Sequence, residues 1–215
     1  MNEKHKRILD TIYQMFPNAV CELNYQTNEQ LAIAVILSAQ ITDKLVNTVT
    51  PKLFNDFPNI NDLANADVKE IEKSIQRIGL YHSKAKNLKA FAQALVEHHE
   101  GVLPSDFNLL TQLSGVGQKT AQVIQAVGFN IPALAVDTHV HRVALRLGLV
   151  KLNSNVFQTE KQLKHLIPKE DWITAHHRIL FFGRYHCQAK KPLCDVCPLK
   201  DVCRYHLKQK KASNK

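Results

Sequence analysis

The sequence has little that favours a membrane protein, an exported protein or a β-sheet fold. Its longest uninterrupted apolar run is LAIAVIL at residues 31–37, much shorter than the ~20 residues needed to span a bilayer. The N-terminal stretch MNEKHKRILDTIYQMF mixes charged and apolar residues, so it lacks the apolar core of a signal peptide. Alternation between apolar and polar side chains is weak throughout the sequence, so strands are not expected. We therefore expect a soluble intracellular protein.

Acidic residues are also scarce relative to basic ones. The chain has 19 Asp and Glu against 28 Lys and Arg, which gives a formal net charge of +9. Most of the excess lies in residues 184–215, which hold nine basic and two acidic residues. This asymmetry favours an anionic partner, nucleic acid first and a membrane surface second. A solubilising tail explains the charge equally well, and residues 208–215 are the best candidate for one.

Helical spacing of apolar residues, by contrast, recurs along the whole chain. Apolar residues in the segment 68–78 step by three or four positions, with Asp67 as the expected N-cap and Gly79 as the expected C-terminal stop. A later helix is expected to stop at Gly183. Repeats, low-complexity segments and long linkers are all missing from the sequence. The sequence predicts an all-α fold of about ten helices joined by short loops.

Four of the five cysteines fall close together, with the spacing C-x6-C-x2-C-x5-C: Cys187, Cys194, Cys197 and Cys203. A disulfide framework is not expected, because there is no export signal and the fifth cysteine, Cys21, is distant. Clustered thiolates in a reducing compartment usually hold a metal. Zinc prefers two C-x2-C pairs, and only one is present. A compact run of four cysteines can instead wrap one iron–sulfur cubane. The spacing favours iron–sulfur and leaves zinc open.

A glycine-containing turn separates two helical stretches in LLTQLSGVGQKTAQVIQAV, residues 109–127. Gly115 and Gly117 allow the backbone to approach another molecule closely. Their N–H groups open a helix N-terminus, which is an anion site, and a DNA phosphate is the expected anion for a basic protein. Because many helical hairpins carry glycine for structural reasons alone, the pattern leaves both interpretations open.

Two charged residues near this turn are candidates for catalysis. Lys119 lies in the first turn of the second helix, where the helix dipole disfavours a cation. That location favours a neutral amine nucleophile, although a solvated lysine that binds phosphate also fits. Asp137 follows an apolar run and precedes a helix, so it is either an N-cap or an acid–base group.

These segments together resemble the helix-hairpin-helix DNA glycosylases that carry an iron–sulfur cluster loop, the endonuclease III-like enzymes. The matching motifs cover most of residues 20–205 in the order found in that family. They are LSAQITD (37–43), IGLYHSKA (78–85), LSGVGQKTA (113–121), AVDTHVHR (135–142), FGRYHC (182–187) and the four cysteines.

The resemblance implies two all-α lobes that flank a DNA-binding cleft. The first is a six-helix lobe, residues 21–133, that contains the helix-hairpin-helix. The second combines residues 1–20 with 134–215 and holds one 4Fe-4S cluster on the four cysteines. The implied partner is double-stranded DNA with a damaged pyrimidine or an abasic site. A monomer in the cytoplasm, associated with the nucleoid through DNA, is expected.

The resemblance also implies a bifunctional DNA glycosylase and abasic-site lyase that acts on oxidised pyrimidines such as thymine glycol. Lys119 would attack the sugar and form a Schiff base, and Asp137 would assist deprotonation and stabilise the cationic sugar. The flipped base would be replaced in the duplex by Gln40 and Leu80. The remaining implied DNA contacts are the amides of Gly115 and Gly117 and the side chains of Lys190 and Lys191.

Two residues depart from the family pattern, and two other functions remain open. Ser114 stands where proline is usual and is expected to loosen the hairpin slightly, and His141 stands where an apolar residue is common.

The adenine glycosylase branch is disfavoured, because its members usually lack the hairpin lysine and carry a further C-terminal domain. A non-catalytic DNA-binding or redox-sensing module would keep the fold without the reaction.

Overall fold

The structure is a computed structural model that describes residues 1–213. Over those residues it contains twelve α-helices, one short 3-10 turn, one π-helical turn and no β-strand. The predicted all-α fold is confirmed. Backbone contacts divide the chain into two compact units, residues 22–131 and residues 1–21 with 132–215; the lobes expected from the sequence were 21–133 and the remainder. The last two residues of the candidate solubilising tail, 214–215, lie outside the described residues.

The unit of residues 22–131 holds seven helices, one more than the six implied by the family resemblance. They are α2 (Asn28–Leu37), α3 (Asp43–Asp56), α4 (Ile60–Asn65), α5 (Val68–Ile75), α6 (Tyr81–His99), α7 (Phe107–Gln112) and α8 (Gln118–Gly128). All residues of α2 from Leu31 to Leu37 are buried, and this helix packs against α3, α6 and α8. The apolar run therefore forms the centre of this unit, because a helix that is apolar on every face must be covered on every side.

The ends of α5 and α6 follow local capping chemistry. Asp67 caps α5, as predicted, and also forms a capping box with Glu70. The expected stop at Gly79 is wrong, because α5 ends at Ile75 and a tight turn leads directly to α6 without a left-handed glycine cap. At the far end of α6, by contrast, Gly101 has φ 79° and its N–H donates to the carbonyl of Leu95 at 2.8 Å. This geometry closes the helix in the way that glycine favours.

The unit of residues 1–21 and 132–215 holds α1 (Glu3–Met15), α9 (Thr138–Leu147), α10 (Val156–Leu166), α11 (Trp172–Phe181) and α12 (Arg204–Ser213). Its core joins apolar residues of α1, α9 and α11. The expected stop at Gly183 is wrong, because α11 continues into a π-helical turn, Phe182–His186. A Cβ at Gly183 would lie 3.0 Å from the Cβ of His139. Glycine is therefore required there for close packing against α9 rather than for ending a helix.

None of the helices in the described residues has the length and apolarity of a membrane span.

Candidate functional site

The hairpin turn between α7 and α8 requires one of its two glycines. Gly115 has φ +78°, and a Cβ at this position would lie 3.0 Å from Cγ2 of Ile36 on the buried helix α2. Gly117 has φ −84° and no atom within 4 Å of a Cβ built on it. Only Gly115 is therefore fixed by backbone conformation and packing, while Gly117 lies at an open surface.

The N-terminus of α8 is open to solvent. Gly117 is its N-cap and provides no side-chain hydrogen bond. Among the described residues, no acceptor is recorded for the backbone N–H groups of Gln118, Lys119 and Thr120. Unpaired N–H groups at a helix N-terminus, together with the positive end of the helix dipole, bind anions. This end of the hairpin can therefore hold a phosphate.

Lys119 lies in that same first turn, on the solvent side. It is exposed, and its Nζ forms no ion pair or hydrogen bond with any residue that the structure describes. An ammonium group without an internal partner at the positive end of a helix contributes nothing to folding. The stability of the fold therefore does not account for its location.

Asp137 has a structural role as the N-cap of α9. Its Oδ1 accepts a hydrogen bond from the backbone N–H of Val140 at 2.7 Å. The residue is half-buried, and no donor to its second oxygen is found within the described residues. The buried segment 133–136 leads into it, and Nδ1 of His176 lies 2.7 Å from the carbonyl oxygen of Ala135. The backbone that carries the Asp137 carboxylate is therefore held in place, and one carboxylate oxygen remains available to accept a hydrogen bond or a proton.

Gln40 and Leu80 both have left-handed backbone conformations, with φ of 63° and 61°. Neither is a glycine, and both side chains are exposed, Leu80 to 61%. Non-glycine residues in this conformation cost free energy and cluster at functional sites, although Glu100 and Asn130 also adopt it. Leu80 is also the N-cap of α6 but provides no capping hydrogen bond. Its exposed apolar side chain is unfavourable in water.

The four clustered cysteines line one cavity. The cavity contains about 320 Å³ of empty space including its mouth and is also lined by Leu147, Phe182 and Leu193. Cys187 and Cys203 are buried, and all four are free thiols. Burial raises the pKa of Cys194 and of Cys197, and the nearby thiols of Cys187 and Cys203 raise both further. Four thiolates in one largely apolar cavity need cations to neutralise them.

The arrangement of these thiols fits a cubane. A 4Fe-4S cluster distributes four thiolates over four irons, so its ligands surround a cavity instead of meeting at a point. Cys187, Cys194, Cys197 and Cys203 provide that number and arrangement.

Arginine side chains of α9 hold the loop that begins at Cys187. Arg146 donates through Nη1 to the carbonyl of Gln188 at 2.7 Å and through Nη2 to the carbonyl of Ala189 at 3.0 Å. Its Nη1 also lies 3.5 Å from Sγ of Cys187. The next two residues, Lys190 and Lys191, are exposed. The loop therefore presents two lysines from a fixed base.

The two departures from the family pattern both have local partners. Oγ of Ser114 donates to Oδ1 of Asn87 on α6 at 3.4 Å, a long bond that links the turn to that helix. Nδ1 of His141 lies 2.8 Å from Oγ1 of the fully buried Thr159. His141 thus satisfies a hydroxyl group that would otherwise be buried without a partner.

The structure groups five of the predicted site residues in one unit and the others in the second. Gln40, Leu80, Gly115, Gly117 and Lys119 belong to residues 22–131. Asp137, the four cysteines and the two loop lysines belong to the other unit. Sequence reasoning missed the arginines that hold the cysteine loop, and it missed a buried lysine, Lys84, beside Gln40 and Leu80. Lys84 lies four residues before the buried Leu88 on α6, so its place on the apolar stripe of that helix was the available signal.

Comparisons with known proteins match both parts of the site. Residues 33–169 match the HhH-GPD superfamily of base excision DNA repair proteins. Residues 187–203 match the iron-sulfur binding domain of endonuclease III.

Whole-chain relatives agree with these two matches. Endonuclease III of Bacillus subtilis (strain 168) is 46% identical over 203 residues, which is 94% of this chain and 93% of that protein. A trapped endonuclease III–DNA covalent intermediate has a TM-score of 0.92 at 45% identity and covers 98% of this chain and 100% of its own. A non-covalent endonuclease III–DNA complex has a TM-score of 0.93 at 44% identity, with the same coverage.

Proposed function

Because the chain belongs to the endonuclease III family, we propose that Lys119 is its nucleophile and that Asp137 is its acid–base residue. The activity is base-excision DNA repair: a DNA glycosylase removes an oxidised pyrimidine, and an abasic-site lyase then cleaves the strand. The single observation that carries the residue assignment is the exposed, unpaired Lys119 in the open first turn of α8.

The reaction begins with a base outside the duplex. Because a stacked base cannot be reached, the damaged nucleotide is flipped out at a cost of a few kcal/mol. We assign Gln40 and Leu80 to the space that it leaves. Their exposed side chains on left-handed backbone support this assignment, since an amide can hydrogen-bond the orphaned base and an apolar side chain can stack in the gap.

The chemistry proceeds in three steps. The amine of Lys119 attacks the sugar C1′ and loses a proton, the glycosidic bond breaks, and the base leaves with the bonding electrons and takes up a proton. The bond from C1′ to the ring oxygen then breaks, the ring oxygen takes up a proton, and a protonated Schiff base forms between C1′ and the lysine nitrogen. This Schiff base acidifies C2′, whose proton is removed while the bond from C3′ to oxygen breaks and the 3′ phosphate leaves with the bonding electrons. We assign two roles to Asp137: it removes the proton from the lysine, and it stabilises the cationic sugar. This assignment is supported by its second carboxylate oxygen, which accepts no hydrogen bond from the described residues, whereas Oδ1 is bonded to Val140.

The remaining proposed contacts bind the phosphate backbone of the DNA. The amides at Gly115 and Gly117 are proposed to bind one phosphate, and Lys190 and Lys191 to bind others. The cofactor is one 4Fe-4S cluster. Cys187, Cys194, Cys197 and Cys203 would hold it, and the iron–thiolate bonds would fix the shape of the cysteine loop. The partner is double-stranded DNA, which the protein meets as a monomer. We place this encounter in the cytoplasm, at the nucleoid.

Borohydride trapping tests the role of Lys119. Duplex DNA with a thymine glycol is incubated with the protein and sodium borohydride, which reduces a Schiff base to a stable adduct. We expect a covalent adduct with the original protein and none with Lys119→Ala. An adduct of equal yield with Lys119→Ala would overturn the assignment. If the original protein releases base without an adduct, the reaction is monofunctional.

Replacing Asp137 with asparagine distinguishes its role as the N-cap of α9 from its proposed role as an acid–base group. Because asparagine is as good an N-cap as aspartate, Asp137→Asn should keep the bond to Val140 and the melting temperature. Its strand cleavage should fall by about 100-fold or more, as expected on losing a general acid–base group. Asp67→Asn, at the N-cap of α5, is the matched control and should leave cleavage unchanged. Equal cleavage by Asp137→Asn and the control would show that Asp137 is a cap alone.

A further inference from the structure

Lys84 is buried without a carboxylate partner. It is 5% exposed, and no ion pair to it exists within residues 1–213. Its Nζ donates to the carbonyl oxygens of Leu37 at 3.0 Å, Ala39 at 2.9 Å and, more weakly, Ile36 at 3.4 Å. Burial lowers the pKa of this lysine. The carbonyls belong to the C-terminal end of α2, where the helix dipole favours a cation and the last carbonyls lack helical partners.

The same residue also holds the segment that carries Leu80. The backbone N–H of Lys84 donates to the carbonyl oxygen of Leu80 at 3.0 Å, and Oγ of Ser83 donates to that oxygen at 2.9 Å. Ala39, whose carbonyl receives the ammonium group, directly precedes Gln40. The backbone bond is the ordinary i→i−4 bond of the first turn of α6 and places Lys84 in the same turn as Leu80. Its side chain reaches the neighbour of Gln40, 45 positions away in sequence.

Both attached residues need such support. Gln40 and Leu80 are left-handed non-glycine residues, and a conformation of this kind persists only where the surrounding structure over-determines it. Three hydrogen bonds from the buried ammonium group fix the segment that precedes Gln40, and the first turn of α6 joins this group to Leu80. If the backbone of either segment relaxed, the side chains of Gln40 and Leu80 would no longer be held at a fixed distance from each other.

We propose that Lys84 is a positioning residue that holds Gln40 and Leu80 in fixed register, so that both side chains enter the duplex together when a base is flipped. This proposal rests on the assignment of those two residues as the inserting side chains. Lys84 touches neither DNA nor the reacting atoms in this account and acts only through the two segments that it joins.

Lys84→Met tests the proposal, because methionine keeps the length of the side chain and removes its N–H donors. The matched control is Lys89→Met, since Lys89 lies on the same helix and donates to the carbonyl of Ala66 at 2.8 Å, far from both inserting residues in sequence. Lyase activity is measured on an abasic site in duplex DNA and in a single strand, where no base needs replacing. Base flipping is followed by the fluorescence of 2-aminopurine next to the lesion.

In Lys84→Met the ratio of duplex to single-strand activity should fall by about 10- to 100-fold, with loss of the fluorescence rise. Lys89→Met should keep both. Equal losses on the two substrates, or no loss on either, would overturn the proposal. If Lys84→Met does not fold, Lys84→Gln replaces it, because glutamine keeps an NH2 donor on a shorter side chain. The same two measurements, the activity ratio and the 2-aminopurine fluorescence, then test the proposal.

The proposal and its premise fail differently. If Gln40→Ala and Leu80→Ala leave duplex activity unchanged, the insertion assignment is wrong and Lys84 has nothing to position. If those two variants lose duplex activity while Lys84→Met keeps it, the insertion assignment stands and the role of Lys84 is refuted.

Discussion

Replacing Gly115 with alanine tests the packing of the hairpin turn directly. A left-handed backbone costs an alanine roughly 1–2 kcal/mol. The added Cβ would also lie 3.0 Å from Cγ2 of Ile36, a 3%-exposed side chain that has little room to move, and overpacking of this kind costs about 1–3 kcal/mol. The two effects together destabilise the unit by about 2–5 kcal/mol. For a chain of this size that corresponds to a melting temperature lowered by roughly 4–20 °C.

Gly117→Ala is the matched control for this measurement. Its φ is −84° and no atom lies within 4 Å of a built Cβ, so only the weaker capping tendency of alanine matters, at about 1 kcal/mol or less. Thermal unfolding followed by circular dichroism on cluster-loaded protein compares the two variants. Equal shifts in the two variants, or a negligible shift in Gly115→Ala, would refute the account of the turn.

Two further predictions concern charge. Replacing Lys190 and Lys191 with glutamine should reduce the magnitude of the slope of log DNA-binding constant against log salt concentration by about 1.8, at about 0.9 per lost phosphate contact. The same change at the exposed Lys208 and Lys210 of α12 should leave that slope unaltered. Equal slopes for the two double variants would contradict the prediction. Burial lowers the pKa of His177 to about 3, so the unfolded chain takes up the proton first and stability falls by about 1.4 kcal/mol per unit as pH drops from about 6.5 towards 3. His177→Phe should remove this part of the pH dependence in urea unfolding, and an unchanged dependence would rule it out.

Local signals in the sequence predicted those parts of the fold that depend on local chemistry. Asp67 forms its capping box because the pattern of Asp67 and Glu70 satisfies the first N–H groups of α5 without help from other segments. The apolar run 31–37 is buried because no face of that helix is polar. Gly183 shows the limit of such signals, since its role depends on His139 of another helix rather than on the residues beside it.

The candidate site divides in the same way. The open N-terminus of α8 was visible in the sequence, because glycine and lysine at a turn have local consequences. The partners of Lys84, Arg146 and His141 were not visible, because each side chain bonds to a segment between 18 and 48 residues away. A lysine or arginine within a helix most often faces solvent, and only tertiary packing decides otherwise.

We propose that Lys119 forms the covalent bond to DNA. The most direct measurement is mass spectrometry of peptides from the borohydride-trapped complex, after the DNA has been digested to the linked sugar remnant. We expect the added mass on the peptide that contains Lys119, on the side chain of that residue. The same mass on another lysine or on the N-terminal amine, with Lys119 unmodified, would contradict it.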